Sequence, residues 1–87
     1  MTTEILIIDD NPDIRNILND LISDAGYKTR LAANYNQALT EIDKKLPEVA
    51  IIDVKLDKGD NDGIELLNHI KQKNKDIPVI IISGHAN

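Results

Sequence analysis

The chain has no cysteine among its 87 residues, and that absence removes three chemistries at once. A disulfide framework, a thiolate metal site and a cysteine nucleophile are all excluded. Small secreted domains of this length usually depend on such staples. Aromatics are scarce, with Tyr27 and Tyr35 the only two. Single-stranded bases stack on aromatic side chains, so the chain offers them little. Positive charge is also short: 10 Lys and Arg stand against 15 Asp and Glu, for a net charge of −5. Nonspecific nucleic-acid affinity comes from cations neutralising phosphates, so direct nucleic-acid binding is not expected. No apolar run approaches the ~20 residues that span a bilayer. The opening Met-Thr-Thr-Glu lacks the basic and then apolar pattern of a signal peptide. The expectation is one small, soluble, cytoplasmic domain with no membrane partner. At this length folding buries only roughly 60–65% of the unfolded surface, so stability is marginal.

What is present is a regular alternation of short apolar runs and helical periodicity. Residues 4–8 form a β-branched run without alternation, as a strand buried on both faces does. Asn11 suits a helix N-cap, Pro12 the first helical position, and Asp13 the positive end of the helix dipole. Ile14, Ile17, Leu18, Leu21, Ile22 and Ala25 then recur at helical spacing, which predicts a core-facing side; Gly26 ends the helix. Residues 27–32 alternate, predicting a strand nearer the sheet edge. A second helix is expected over 35–45, capped by Asn34, with Ala38, Leu39 and Ile42 inward and Pro47 closing the segment. Residues 49–52 read as another buried strand. A charged loop follows over 54–63, then a helix over 64–73 burying Ile64, Leu67 and Ile70 or their neighbours, then a strand over 79–82. Strands alternating with helices predict a parallel sheet covered on both faces, joined by right-handed crossovers.

Three aspartates stand out from the general acidity. Asp9, Asp10 and Asp53 each follow an apolar strand directly. Ligands of open parallel sheets bind outside the carboxyl ends of the strands, where strand order reverses. If the first and third strands are neighbours, the three carboxylates share one pocket, and their repulsion must be relieved by raised pKa values or by a cation. An all-oxygen site with open water positions suits Mg2+, particularly when a phosphate adds ligands. A carboxylate can also attack phosphorus to give an aspartyl-phosphate. Taken singly, each of these residues is as well explained as a helix cap or the start of a loop. Ser83 follows the fourth strand on the same edge, where its hydroxyl could bond a phosphoryl oxygen on Asp53; as a Ser-Gly pair it also suits a plain turn. His69 reads as a surface residue of the third helix and His85 as a loop residue, neither with a partner at metal-ligand spacing.

The ordered set ILIIDDNPDIR (5–15), VAIID (49–53), DG (62–63) and IIISG (80–84) resembles the receiver domains of two-component response regulators. The likeness covers essentially all of residues 1–87. The ending Ile-Ile-Ser-Gly-His and the long loop before Asp62 look most like the nitrogen-regulation NtrX-type branch. The resemblance implies a flavodoxin-like (CheY-like) three-layer α/β sandwich with strand order 2-1-3-4. It implies that Asp53 accepts a phosphoryl group from a sensor histidine kinase. Asp10, Asp53 and the backbone carbonyl of Lys55 would ligate Mg2+, with Asp9 acting largely through water and Ser83 as the switch hydroxyl. The module would be a phosphoacceptor switch rather than an enzyme, beyond its self-catalysed phosphorylation and dephosphorylation.

The sequence departs from that family in two ways. Relatives continue through another helix, a fifth strand and a last helix, whereas this sequence stops at Asn87 and shows no match for the fifth-strand lysine. The loop after Asp53 is also about two residues long, around Lys58-Gly59-Asp60-Asn61. Residues 79–82 would then form an apolar edge, and such edges recruit other chains, so self-association is expected. Other functions fit parts of the pattern less well. A protein-interaction module could keep the fold without signalling by phosphate. A haloacid-dehalogenase-type hydrolase needs a second aspartate two positions after its nucleophile, where this chain has Lys55 after Asp53 and Asn11 after Asp9. Dinucleotide binding lacks its Gly-rich turn after the first strand.

Overall fold

The computed structural model describes residues 2–82. Ser83 and His85, singled out above, lie outside them. Strands β1 (Glu4–Ile8), β2 (Lys28–Ala32), β3 (Val49–Asp53) and β4 (Val79–Ile82) form one parallel sheet in the order β2-β1-β3-β4. Helices α1 (Pro12–Asp24), α2 (Tyr35–Lys44) and α3 (Asp62–Lys73) alternate with them. This is the expected α/β architecture and strand order. β1, whose apolar run never alternates, is buried along its whole length in the sheet's interior. β2, which does alternate, takes an edge.

Cap chemistry places the helices. The Asn11 side chain accepts from the amides of Asp13 and Ile14, and Pro12 opens α1 where its missing N–H costs nothing. Asn34 accepts from the Gln37 amide at 2.8 Å to start α2. Gly26, with φ of 97°, turns the chain out of α1 in a conformation other residues resist. α3 begins at Asp62, two residues before the periodicity suggests, and it is Leu66 and Ile70 that it buries; Ile64 is exposed.

The core lies on one face of the sheet. Leu6, Ile8, Ala50 and Ile52 meet Ala38 and Ile42 of α2 and Leu66 and Ile70 of α3 there. At the β1 start, the buried Glu4 carboxylate faces Arg30, with Nε and Oε1 2.9 Å apart. That N–H is not aimed at the oxygen, so the contact is charge pairing rather than a hydrogen bond. Arg30 also donates to the Glu41 and Lys45 carbonyls, tying the end of α2 to the sheet.

The opposite face corrects one expectation. No residue of α1 is fully buried, and Ile17 and Leu21 are 56% and 64% exposed. The apolar stripe is present, but it is wider than the part of α1 that rests on β1 and β2. Among the described residues α1 alone lies on this face, so no second helix covers the flank that carries Ile17 and Leu21. Ile80 of β4, 51% exposed, is left open as well.

Candidate functional site

Strand register assembles the acidic residues. β1 pairs with β3 so that Ile8 lies beside Ile52, which brings Asp9 level with Asp53 at the carboxyl ends of adjacent strands. β2 lies on one side of this pair and β4 on the other, so strand order reverses here. Asp9 and Asp53 are each 2% exposed, whereas Asp10 is open to solvent. Carboxylate oxygens of all three lie within 4.8 Å of one another.

Local hydrogen bonds hold the carboxylates in place. Asp9 Oδ1 accepts from the Asn11 amide at 2.9 Å. The Arg15 guanidinium reaches back from α1 to the Asp9 carbonyl at 2.8 Å, fixing the backbone between the two elements. Asp53 Oδ1 accepts from the Lys55 amide at 3.2 Å. Burial pushes the Asp9 carboxyl above its ordinary value, and the charges of Asp53 and Asp10 push it the same way. The Asn11 bond and Arg15 oppose that rise. Three crowded, hard oxygen donors with a buried member whose charge is disfavoured fit a small divalent cation, which would relieve the repulsion.

Of the residues expected from sequence, Asp9, Asp10 and Asp53 are brought together. Lys55 sits beside them through its backbone amide, while its ammonium turns outward to Asp60 at 3.5 Å. His69 pairs with Asp43 between α3 and α2, away from the cluster, at 3.2 Å. Three features were not read from sequence. They are the Arg15 bond, the Asp62 carboxylate, which accepts from the Lys58 and Gly59 amides, and the fit of Gly63 against Asp53. The signal for the last two was the Asp62-Gly63 pair itself, visible without its purpose.

The sequence profile of the response regulator receiver domain matches residues 5–87. The chain belongs to this family. It is 40% identical over 87 residues to the nitrogen assimilation regulatory protein NtrX of Azorhizobium caulinodans, covering 100% of the chain and 19% of that protein. It is 39% identical over 86 residues to sporulation initiation phosphotransferase F of Bacillus subtilis, covering 99% of the chain and 68% of that protein. Among solved structures, NtrX from Brucella abortus superposes with a TM-score of 0.87 at 38% identity, over 100% of this chain and 20% of that one. The regulator TrrA from Thermotoga maritima, solved in complex with Mg(2+)-BeF, superposes at 0.87 with 27% identity, over 98% of this chain and 72% of that one. The chain is thus a receiver domain of the NtrX-like kind and spans about a fifth of the NtrX proteins it matches. No helix among the described residues is long and apolar enough to cross a membrane.

Proposed function

We propose that the receiver takes a phosphoryl group from a sensor histidine kinase onto the Asp53 carboxylate, with Mg2+ held by Asp10, Asp53 and the Lys55 carbonyl and by Asp9 largely through water. The observation that carries this reading is the buried Asp53 carboxylate within 4.8 Å of Asp9 and Asp10 at the strand-order switch of a receiver fold. The Mg(2+)-BeF complex of TrrA supports the choice of metal. Bound Mg2+ supplies positive charge opposite the oxygens of the transferring group. The chain's own residues do the positioning. The Lys55 amide holds one Asp53 oxygen, the Asn11 amide holds one Asp9 oxygen, and Arg15 fixes the Asp9 backbone.

In the transfer, an Asp53 carboxylate oxygen attacks phosphorus, the phosphorus–nitrogen bond to the kinase histidine breaks, and its electron pair stays with the imidazole. The product is an acyl phosphate, which water later hydrolyses. The module is a switch and not a turnover enzyme: the added charge biases a two-state element, and the Ser83 hydroxyl is assigned the contact to the phosphoryl oxygens. The kinase is the expected partner in a cytoplasmic setting, together with a second copy of the chain along β4. A net charge of −5 speaks against nucleic acid.

The test is intact-mass measurement after incubation with a small acyl-phosphate donor and Mg2+. One phosphoryl adduct, labile to acid and absent from Asp53→Asn, is expected. An adduct that persists in Asp53→Asn, or that forms equally in excess chelator, overturns the reading.

A further inference from the structure

Asp62 is a buried carboxylate that belongs neither to the acidic cluster nor to the core. It is 2% exposed. Its Oδ2 accepts from the amides of Lys58 at 2.8 Å and Gly59 at 3.0 Å. An acidic residue at the first position of a helix usually serves that helix, through its dipole or its unpaired amides. Here α3 has no side-chain cap bond, and the Asp62 oxygen is spent backwards on the loop. The Asp62 amide closes the same turn by donating to the Gly59 carbonyl at 3.4 Å.

The segment so gathered, residues 54–61, is the one that leaves the Asp53 end of β3. It is pinned at intervals. The Lys55 amide bonds Asp53, Leu56 is buried in the core, and the Gly63 amide donates to the Val54 carbonyl at 2.9 Å. Asp57 lends a carboxylate to the Tyr35 amide at 2.9 Å. Between Leu56 and Gly63 every residue but Asp62 is exposed and none is apolar apart from Gly59, so apolar burial does not order them. The Asp62 carboxylate is what draws this stretch together. One buried oxygen accepting two backbone amides is a strong constraint, because losing that acceptor leaves both donors without their partner.

We infer that Asp62 is a positioning residue for the metal site: by clamping the Lys58 and Gly59 amides it holds the loop so that the Lys55 backbone is presented to the acidic cluster. The inference rests on the Mg2+ reading above. Metal sites depend on the groups that orient their ligands, and loss of such a group costs about 10–100-fold in affinity. The requirement is for an acceptor oxygen at that place rather than for a negative charge. Asp62→Asn can keep the acceptor, and Asp62→Ala cannot.

The test is a Mg2+ titration of the full chain, followed by amide ¹H–¹⁵N shifts and paired with thermal melts of the same samples. Wild type should show saturable shifts around Asp9, Asp10, Asp53 and Lys55. Asp62→Asn should bind near the wild-type affinity, and Asp62→Ala at least about tenfold more weakly, more than its change in melting temperature accounts for. A folded Asp62→Ala with unchanged affinity overturns the inference, and so does a folded Asp62→Asn as weak as Asp62→Ala, which would make charge the active property. Should Asp62→Ala fail to fold, Lys58→Pro takes its place, removing one of the two donated amides; several-fold weaker binding supports the clamp and unchanged binding overturns it. If wild type itself shows no saturable Mg2+ shift, the metal reading fails first and the clamp with it, an outcome distinct from the others.

Discussion

A methyl group on Gly63 would lie 2.5 Å from the carbonyl oxygen of Asp53 and 2.6 Å from the Val54 Cα. Both obstacles are backbone, so neither can swing aside. The first turn of α3 is thereby seated directly against the peptide that carries the proposed phosphoacceptor. Gly63→Ala sets two effects against each other. Alanine gains about 1 kcal/mol of helix propensity over glycine, while overpacking costs about 1–3 kcal/mol. Two backbone contacts well inside van der Waals range place this site at the upper end, so a net loss of about 2 kcal/mol is expected. Urea unfolding measures it. Phosphorylation of the folded fraction should fall as well, because α3 can relieve the contact only by moving away from Asp53.

Crowding of Asp9, Asp10 and Asp53 yields a prediction that is independent of phosphoryl chemistry. Burial raises the Asp9 carboxyl most, and the charges of Asp53 and Asp10, crowded within 4.8 Å, push it the same way. Asp53→Asn removes one charge while its amide oxygen can still accept from the Lys55 amide. In chelator the variant should therefore be more stable than wild type by about 1 kcal/mol, or about 4–8 °C in melting temperature. Saturating Mg2+ should reverse the order, since a ligand stabilises the form that binds it and the variant offers one carboxylate fewer. Melting scans with chelator and with Mg2+ give both comparisons. A wild type that leads in both buffers would show that repulsion does not govern the site.

Much of this site was legible in the sequence, and the reason is geometric. Asp9 and Asp53 end unbroken apolar runs, and parallel strands place their ends on one edge. The edge position of β2 followed from its alternation, and the Asn11 and Asn34 caps from side chains that suit few other places. Periodicity failed at α1. It shows that a helix has an apolar stripe but not whether a neighbour covers each flank of it, and Ile17 and Leu21 lie on a flank that no described helix covers. The jobs of Arg15 and Asp62 were invisible for another reason. Each serves backbone groups three to six residues away, and those contacts exist only once a loop has its path.

The ion pairs at the far end of α2 predict an acid-side dependence. Lys44, at 3.1 Å, and Arg30 hold the Glu41 carboxyl below its ordinary value. A carboxyl depressed in the folded state binds its proton more readily when unfolded. Its contribution is therefore full above the ordinary value of 4.5 and is lost as pH falls through the lower folded value. Partly exposed pairs of this kind contribute about 0.5–1 kcal/mol. Glu41→Gln should be less stable than wild type by about that amount at pH 7, and the gap should close in acid. Urea midpoints across pH 3 to 7 (about half-unit steps suffice) measure the gap. A gap that stays constant into acid would place the Glu41 contribution in packing instead of charge.

The open edge of the sheet bears on assembly. β4 pairs with β3 alone among the described strands, and Ile80 presents an exposed branched side chain from a wholly apolar strand. An uncharged, unbulged edge offers its free N–H and C=O groups to any extended strand, and a second copy supplies one of the same kind. β2, the other edge, carries the exposed Lys28, the kind of charge with which sheets discourage pairing, so association is expected through β4 and not β2. Light scattering over rising concentration should show the mass climbing above that of the monomer, and Ile80→Lys should return it toward the monomer. The substitution falls on a half-exposed side chain, so its effect on the melting temperature of the dilute monomer should be small beside its effect on mass. Wild type that stays monomeric at every concentration, with a cooperative melt, would mean the apolar strand is satisfied within a single chain.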